Sequence, residues 1–176
     1  MQIIRNAGVL IALLILPSSI YGDENTAKLS DAVKSAKVSL ETGLRASEKE
    51  GKPLSAKYEL EDGRLQLSGY TEKAGKFYEV VVDHTTGKIA KTEEITSGDD
   101  LAAAKEQSAA MAHAKRSLRQ AVMAAKKAHK GFRAFSVVPE LKASHPIATI
   151  TLGKGHETLS ATEKLDSKVD DDDDDD

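Results

Sequence analysis

The last seven residues offer the clearest chemistry in the sequence. They are an unbroken run of aspartates that ends at the terminal carboxyl group. Carboxylate oxygens are the ligands that hard cations prefer, and calcium accepts about six to eight of them in irregular geometry. Trivalent lanthanide ions share this preference, and the same charges attract them more strongly. The run therefore predicts binding of calcium or a lanthanide, with the candidate ligands Asp170, Asp171, Asp172, Asp173, Asp174, Asp175 and Asp176.

The spacing of this run differs from that of an EF-hand loop, so its affinity would come from charge density instead of a preorganised cage. Further oxygen ligands are available before the tail, near two turn signals and near the middle of the chain. Charged side chains at such positions are commonly only solvated. These secondary candidate ligands are Glu59, Glu61, Asp62, Asp83, Glu93, Glu94, Asp99 and Asp100.

The tail is also the source of the protein's acidity. The formal net charge of the whole chain is −3, but residues 23 to 169 alone are net basic. Seven adjacent like charges repel one another and have no apolar surface to bury, so we expect a disordered tail unless something positive binds it. That partner is either a cation or a basic surface of the same protein. A simple solubilising extension is the alternative to both.

Several other functions are disfavoured by composition and motifs. The chain contains no cysteine, which excludes disulfides, thiolate catalysis and cysteine-based zinc sites. The sequence has no HExxH, GxSxG, Walker or GxGxxG pattern, and we expect no enzymatic activity and no cofactor other than the metal ions. With four tyrosines, three phenylalanines and no tryptophan, it has few side chains on which single-stranded nucleic acid could stack.

The N-terminus has the pattern of a secretory signal. One positive charge, Arg5, precedes the apolar run from Ala7 to Leu16, and a small residue, Gly22, follows a short polar break. The apolar run is about 15 Å long as a helix, half of what a membrane span requires. We therefore predict a signal peptide over residues 1 to 22 and no transmembrane segment after its cleavage. The protein would be periplasmic or secreted, which also argues against nucleic acid as a partner.

The elements that carry the candidate ligands follow from the hydrophobic pattern. Apolar residues from Leu29 to Leu40 recur at helical spacing and predict a first helix. Alternating and β-branched segments then predict four antiparallel strands, at residues 54 to 60, 64 to 70, 76 to 83 and 88 to 95. Residues 23 to 97 would form one module of a helix and an antiparallel sheet.

The rest of the chain predicts a long helix followed by a second, similar module at residues 98 to 169. Asp99 to Lys130 contains neither glycine nor proline and is rich in alanine, so it predicts one long helix or two joined end to end. Three short matches, in the same order, suggest a repeat. AVKSAK at residues 32 to 37 matches AVMAAK at 121 to 126, YEL ending at Leu60 matches PEL ending at Leu141, and TEEI at 92 to 95 matches TEKL at 162 to 165.

A basic stretch lies along the second half of the predicted long helix. A cationic helical face is usually solvated, but it also suits an anionic envelope surface, an acidic partner or the protein's own tail. Its members are Lys115, Arg116, Arg119, Lys126, Lys127, Lys130 and Arg133.

The segment from Lys76 to Ile95 resembles the PepSY domain family. The resemblance rests on a strand that ends in Val82 and Asp83 and on the turn Thr86, Gly87 and Lys88 that follows. Glycine supplies the positive φ that such a turn requires, and the Asp83 carboxylate is placed to accept backbone N–H groups across it. In the second half Leu152, Gly153 and Lys154 take the place of Val82, Asp83 and His84, so this turn is degenerate.

The resemblance implies an α+β fold of two PepSY-like modules, followed by the acidic tail at residues 170 to 176. PepSY domains occur in propeptides of secreted metallopeptidases and as separate envelope proteins. The family therefore implies a small binding module that restrains a protease or binds another envelope protein. The sequence therefore gives three candidate functions. The acidic tail indicates hard-cation binding, the resemblance implies protease restraint or other protein binding, and the basic stretch suits contact with an anionic envelope surface.

Overall fold

The first half of the chain folds into two short helices and four strands. A computed structural model describes residues 24 to 167. The predicted signal peptide, residues 1 to 22, and the acidic tail, residues 170 to 176, lie outside this range. The helices α1 and α2 precede a meander of the strands β1, β2, β3 and β4. Their bounds are α1 Glu24–Val33, α2 Leu40–Ser47, β1 Lys52–Glu61, β2 Arg64–Lys73, β3 Lys76–Val82 and β4 Ile89–Ile95.

The second half repeats this order with one strand fewer among the described residues. Its bounds are α3 Gly98–Ala112, α4 Leu118–Ala128, β5 Arg133–Lys142, β6 His145–Lys154 and β7 Glu157–Lys164. All the strands form one antiparallel sheet in the order β4-β3-β2-β1-β5-β6-β7. The two halves meet where β1 pairs with β5, at Ala56 with Val137 and Lys57 with Ser136. The α+β prediction is confirmed, and one continuous core joins both halves.

Helices cover both faces of the sheet. A side chain on Gly43 of α2 would overlap Leu67 of β2, so α2 packs on the face to which Leu67 points. Glu72 of the same strand points to the other face, because strand side chains alternate, and there it accepts a hydrogen bond from Ser108 of α3. On the first face α4 lies beside α2, joined by an ion pair between Lys126 and Glu41 at 2.5 Å.

Of the two possibilities for Asp99 to Lys130, one long helix or two in succession, the structure has two helices. The chain leaves α3 at His113 and starts α4 after Ser117, whose side chain forms a capping box with Gln120. This break allows α3 and α4 to bury apolar residues against different parts of the core. The first predicted helix is also two helices, because Ser39 caps a new helix at Leu40. Serine is a strong N-cap in both places, a local signal that outweighs the continuous apolar periodicity.

The two halves correspond in the structure in a different way from the one that the short sequence matches suggest. The amides of Lys37 and Val38 donate to the carbonyl of His84, and those of Lys115 and Arg116 donate in the same way to Leu165. The end of β3 therefore corresponds to the end of β7. The match of TEEI with TEKL is wrong, because TEEI lies in β4 and TEKL runs along the end of β7.

Two further sequence matches differ from the structural correspondence. AVKSAK ends α1 and continues into the next turn, whereas AVMAAK lies inside α4. Gly153 lies in β6, so it does not occupy a degenerate version of the turn after Asp83. Only YEL and PEL, which lie in β1 and β5, occupy corresponding strands. Short matches of alanine, lysine and glutamate are frequent by composition, which explains why two of three were misleading.

Candidate functional site

The turn at Asp83 has the geometry that the sequence predicts. The Asp83 carboxylate accepts the amide N–H groups of Thr85 and Thr86, each at 2.8 Å. Gly87 has φ of 74° and donates its amide to the Asp83 carbonyl. The two backbone donors stabilise the charged form and lower the pKa of Asp83. One carboxylate oxygen of this candidate ligand is therefore already used to hold the turn.

Glu61 and Asp62 lie near Asp83, in the hairpin that joins β1 to β2. All three line an open cavity of about 550 Å³, which Arg64 and His84 also line. This cavity brings three of the eight predicted body ligands together. The arginine places a fixed positive charge in the same cavity, which opposes the binding of a cation.

The other candidate ligands of the body lie outside this cavity, and several already have a cationic partner. Glu59 pairs with Lys57 at 2.7 Å, Glu93 with Lys91 at 2.7 Å and Glu94 with Lys76 at 3.0 Å. Asp99 and Asp100 lie in the first turn of α3, where carboxylates are favoured by the helix dipole. Within residues 24 to 167, no three histidine or acidic side chains converge as a metal site. Asp170 to Asp176 lie outside the described residues.

A polar cluster lies on the face of the sheet that carries α3. Its centre is Tyr70, a largely buried residue, whose ring lies 5.5 Å from the Lys57 ammonium group. The Tyr70 hydroxyl donates to Glu79 at 3.4 Å, and Gln66 donates to the same carboxylate at 3.2 Å. Burial raises the pKa of Tyr70 far above its usual value. This tyrosine therefore remains a neutral hydrogen-bond donor.

The acidic members of this cluster repel one another. Burial is the main cause that raises the pKa of Glu79, and the nearby carboxylates of Glu59 and Glu93 raise it further. Burial likewise raises the pKa of Asp100, with Asp99 and Glu59 adding to the effect. Lys57 opposes both shifts. The cluster thus destabilises the ionised forms of Glu79 and Asp100, and hydrogen bonds from Tyr70 and Gln66 hold Glu79.

Glu79→Gln is expected to raise the free energy of unfolding near pH 8 by about 0.5 kcal/mol, a small effect because solvent screens a partly exposed group. A carboxyl group whose pKa is raised by folding loses stabilisation as the pH rises through its folded pKa. Glutamine keeps a hydrogen-bond acceptor and has no charge. As the pH falls towards about 4.3, the usual pKa of glutamate, the protonated fraction rises in both states and the difference between the two proteins should shrink.

Urea denaturation at pH 4 and pH 8 measures this difference. Glu106→Gln, at an exposed position of α3, is the matched control and should show no such pH dependence. A variant Glu79→Gln that is less stable than the parent at pH 8 would contradict the account of the cluster.

The predicted basic stretch does not form a continuous face. Arg133 donates to the backbone carbonyls of Val33, Ala36 and Val38 at 2.9, 3.0 and 3.3 Å. Lys126 is paired with Glu41, and Arg116 contacts Glu163 at 3.4 Å. Sequence could not show this, because these contacts join residues far apart in the chain.

Four of the predicted cations remain outside these contacts, two at each end of α4. Lys115 and Arg119 lie at its beginning, and Lys127 and Lys130 lie at and beyond its end. At the beginning of α4, Lys52 from the start of β1 joins the first pair around a cavity of about 270 Å³. Lys52 was not a candidate in the sequence, where it is far from the basic stretch.

No protein-family model matches the chain, and no curated protein matches it. Among solved structures, it is similar to a "putative lipoprotein" from Clostridium difficile 630. The identity is 15%, the similarity covers 73% of this chain and 95% of that chain, and the TM-score is 0.36. Between residues 24 and 167, no helix is long and apolar enough to cross a membrane.

Proposed function

We propose that the protein is a non-catalytic, PepSY-type binding protein of the periplasm or the secreted space that binds calcium or lanthanide ions through Asp170 to Asp176. The observation that carries this proposal is the run of seven adjacent carboxylates in a chain whose preceding part is net basic. Such a run supplies many oxygen ligands and no soft ligand, which suits hard cations.

The geometry of the described residues supports the tail as the main cation site. Glu59, Glu93 and Glu94 have lysine partners, and Asp83 holds a turn. A cation bound to one of them would have to displace an existing contact. Ordering the tail costs about 1 to 2 kcal/mol for each residue fixed, so we expect moderate calcium affinity and tighter binding of a trivalent ion.

The PepSY assignment is supported by the turn at Asp83 and Gly87 and by the repeated order of two helices and antiparallel strands. Protease restraint or other protein binding is the alternative function of such modules, and it requires the folded part of the chain. Contact with an anionic surface has less support, because Arg116, Lys126 and Arg133 are engaged within the protein.

Removal of the tail is the test of cation binding. A chain that ends at Val169 is expected to lose most of its sites for calcium and terbium, with apparent affinity at least about tenfold weaker for any that remain. Isothermal titration calorimetry and terbium luminescence measure both quantities. The double variant Glu93→Gln/Glu94→Gln removes two carboxylates from β4 instead and should keep the parent stoichiometry. Equal stoichiometry with and without the tail would refute the proposal, whereas protease inhibition should survive the truncation.

A further inference from the structure

A basic pocket lies where the end of α2, the start of β1 and the connection from α3 to α4 meet. Its volume is about 270 Å³. Four cationic residues and a single acidic residue line it, so its net charge is strongly positive. These charged residues are Lys52, Lys115, Arg116, Arg119 and Glu48.

Two of the four cations already have partners inside the protein. The Lys52 ammonium group donates to the carbonyl of Met111 at 3.0 Å, and Arg116 donates to the carbonyl of Lys164 at 3.0 Å. Within residues 24 to 167, Lys115 and Arg119 form no ion pair. Arg119 is also in the first turn of α4, where the helix dipole is positive and favours an anion.

The chain leads to this pocket as it leaves the described part. The carbonyl of Leu165, a fully buried residue, accepts the amides of Lys115 and Arg116 at 2.6 and 3.1 Å. Leu165 is thus bonded to two residues that line the basic pocket. An extended chain covers about 3.3 Å per residue, so Asp170 reaches about 17 Å from Leu165 and Asp176 about 36 Å. Every aspartate of the tail can therefore reach the pocket.

The outer edge of β7 is the other surface within reach. In the first half, four residues separate His84 from β4, which pairs with the outer edge of β3. Four residues likewise separate Leu165 from Asp170, so the seven aspartates take the place in sequence of the seven residues of β4.

Charge disfavours that edge for the tail. Ile89 and Ile95 of β4 pack against the core, and aspartates cannot replace them there without burying charge. Glu157, which is in β7 and exposed, would repel the tail further. The basic pocket, by contrast, presents the opposite charge next to the point where the chain leaves.

We propose that, without a bound cation, Asp170 to Asp176 dock on the basic pocket at the start of α4. The contact is intramolecular and electrostatic, and it weakens as salt screens the charges. It supplies an acidic partner to Lys115 and Arg119, which form no ion pair within residues 24 to 167.

One consequence rests on the proposed function in cation binding. A cation must displace the pocket from the carboxylates before it binds them, so docking lowers the apparent cation affinity. Removing the pocket charges should then tighten cation binding by about two- to tenfold at low salt, since each surface ion pair contributes little.

The test compares ¹⁵N–¹H NMR spectra of the full chain and the chain ending at Val169, both with a chelator and at low salt. We expect the amides of residues 115 to 120 to shift when the tail is removed and the shifts to disappear at about 0.5 M salt, where the Debye length is only a few ångströms. In the background Lys115→Gln/Arg119→Gln, tail removal should leave these amides unchanged. The background Lys127→Gln/Lys130→Gln, with the same loss of charge at the other end of α4, should keep the shifts.

The outcomes separate the docking from the cation site. Shifts confined to β7 would place the tail along the sheet edge and overturn the proposal, as would shifts confined to residues next to Val169. If Lys115→Gln/Arg119→Gln and Lys127→Gln/Lys130→Gln reduced the amide shifts equally, the attraction would be nonspecific. That result would also overturn the proposal. Docking without any cation binding would instead refute the proposed function and leave the docking intact.

Discussion

Arg133→Met is expected to lower the free energy of unfolding by about 3 kcal/mol. The guanidinium group of Arg133 donates to three backbone carbonyls, at Val33, Ala36 and Val38. These carbonyls belong to the end of α1 and to the connection into α2, while Arg133 begins β5. The residue therefore ties the two halves of the chain together. Methionine retains most of the apolar volume but removes three hydrogen bonds from a charged donor, which costs more than a lost surface charge. The Ala36 carbonyl then loses its donor, while the carbonyls of Val33 and Val38 keep the Ala36 amide and the Tyr58 hydroxyl.

Urea denaturation followed by circular dichroism measures the effect of this substitution. The matched control is Lys127→Met, which removes a cation of the same predicted basic stretch from an exposed position. We expect this control to change stability by less than about 0.5 kcal/mol. A loss below about 1 kcal/mol for Arg133→Met, similar to the control, would contradict this account. Arg133 would then behave as the solvated cation that the sequence suggested.

Gly153→Ala is expected to cost about 2 kcal/mol, because the new methyl group would overlap a buried ring. A Cβ atom on Gly153 would lie 2.2 Å from Cζ and 2.3 Å from Cε2 of Phe135. Phe135 is only 5% exposed, so the ring has little room to move away. Gly153 is therefore required for close packing between β6 and the residue at the bulge of β5.

A double-mutant cycle with Phe135→Leu tests this packing explanation. Leucine removes the overlapping ring atoms, so the loss in the double variant should be smaller than the sum of the single losses by at least about 1 kcal/mol. Thermal and urea unfolding of the four proteins give the coupling free energy. Additive losses would show that Gly153 matters for the backbone of β6 and not for its contact with Phe135.

The strands of the first half were predictable because their signals are local. Alternating side chains and the turn residues Asp62, Gly63, Gly75 and Gly87 define them, and all four turn residues have positive φ. The predicted strand limits agree with the structure to within a few residues. The turn at Asp83 was predictable for the same reason, since its carboxylate bonds to amides only two and three residues away.

The helix boundaries and the role of the basic residues were not predictable in this way. Ser117 caps α4 and so divides the segment that the sequence predicts as continuously helical. The reason for the division is tertiary, because α3 and α4 pack against different parts of the core. Arg133 and Lys126 look like solvated cations in a helical pattern, and their partners are about one hundred residues away or on another helix. Which residues become these partners depends on how the helices and strands pack together.

The sequence by itself determined the strands of the first half, the Asp83 turn, the absence of thiol chemistry and the concentration of negative charge in the last seven residues. These properties depend on composition and on neighbours within a few residues. Only the tertiary structure decided that both halves share one sheet, that Arg133 donates to backbone carbonyls of the first half, and that Leu165 lies beside Lys115. The reason is that each of these depends on contacts between distant segments, which form only when the apolar faces of the helices and strands are buried together.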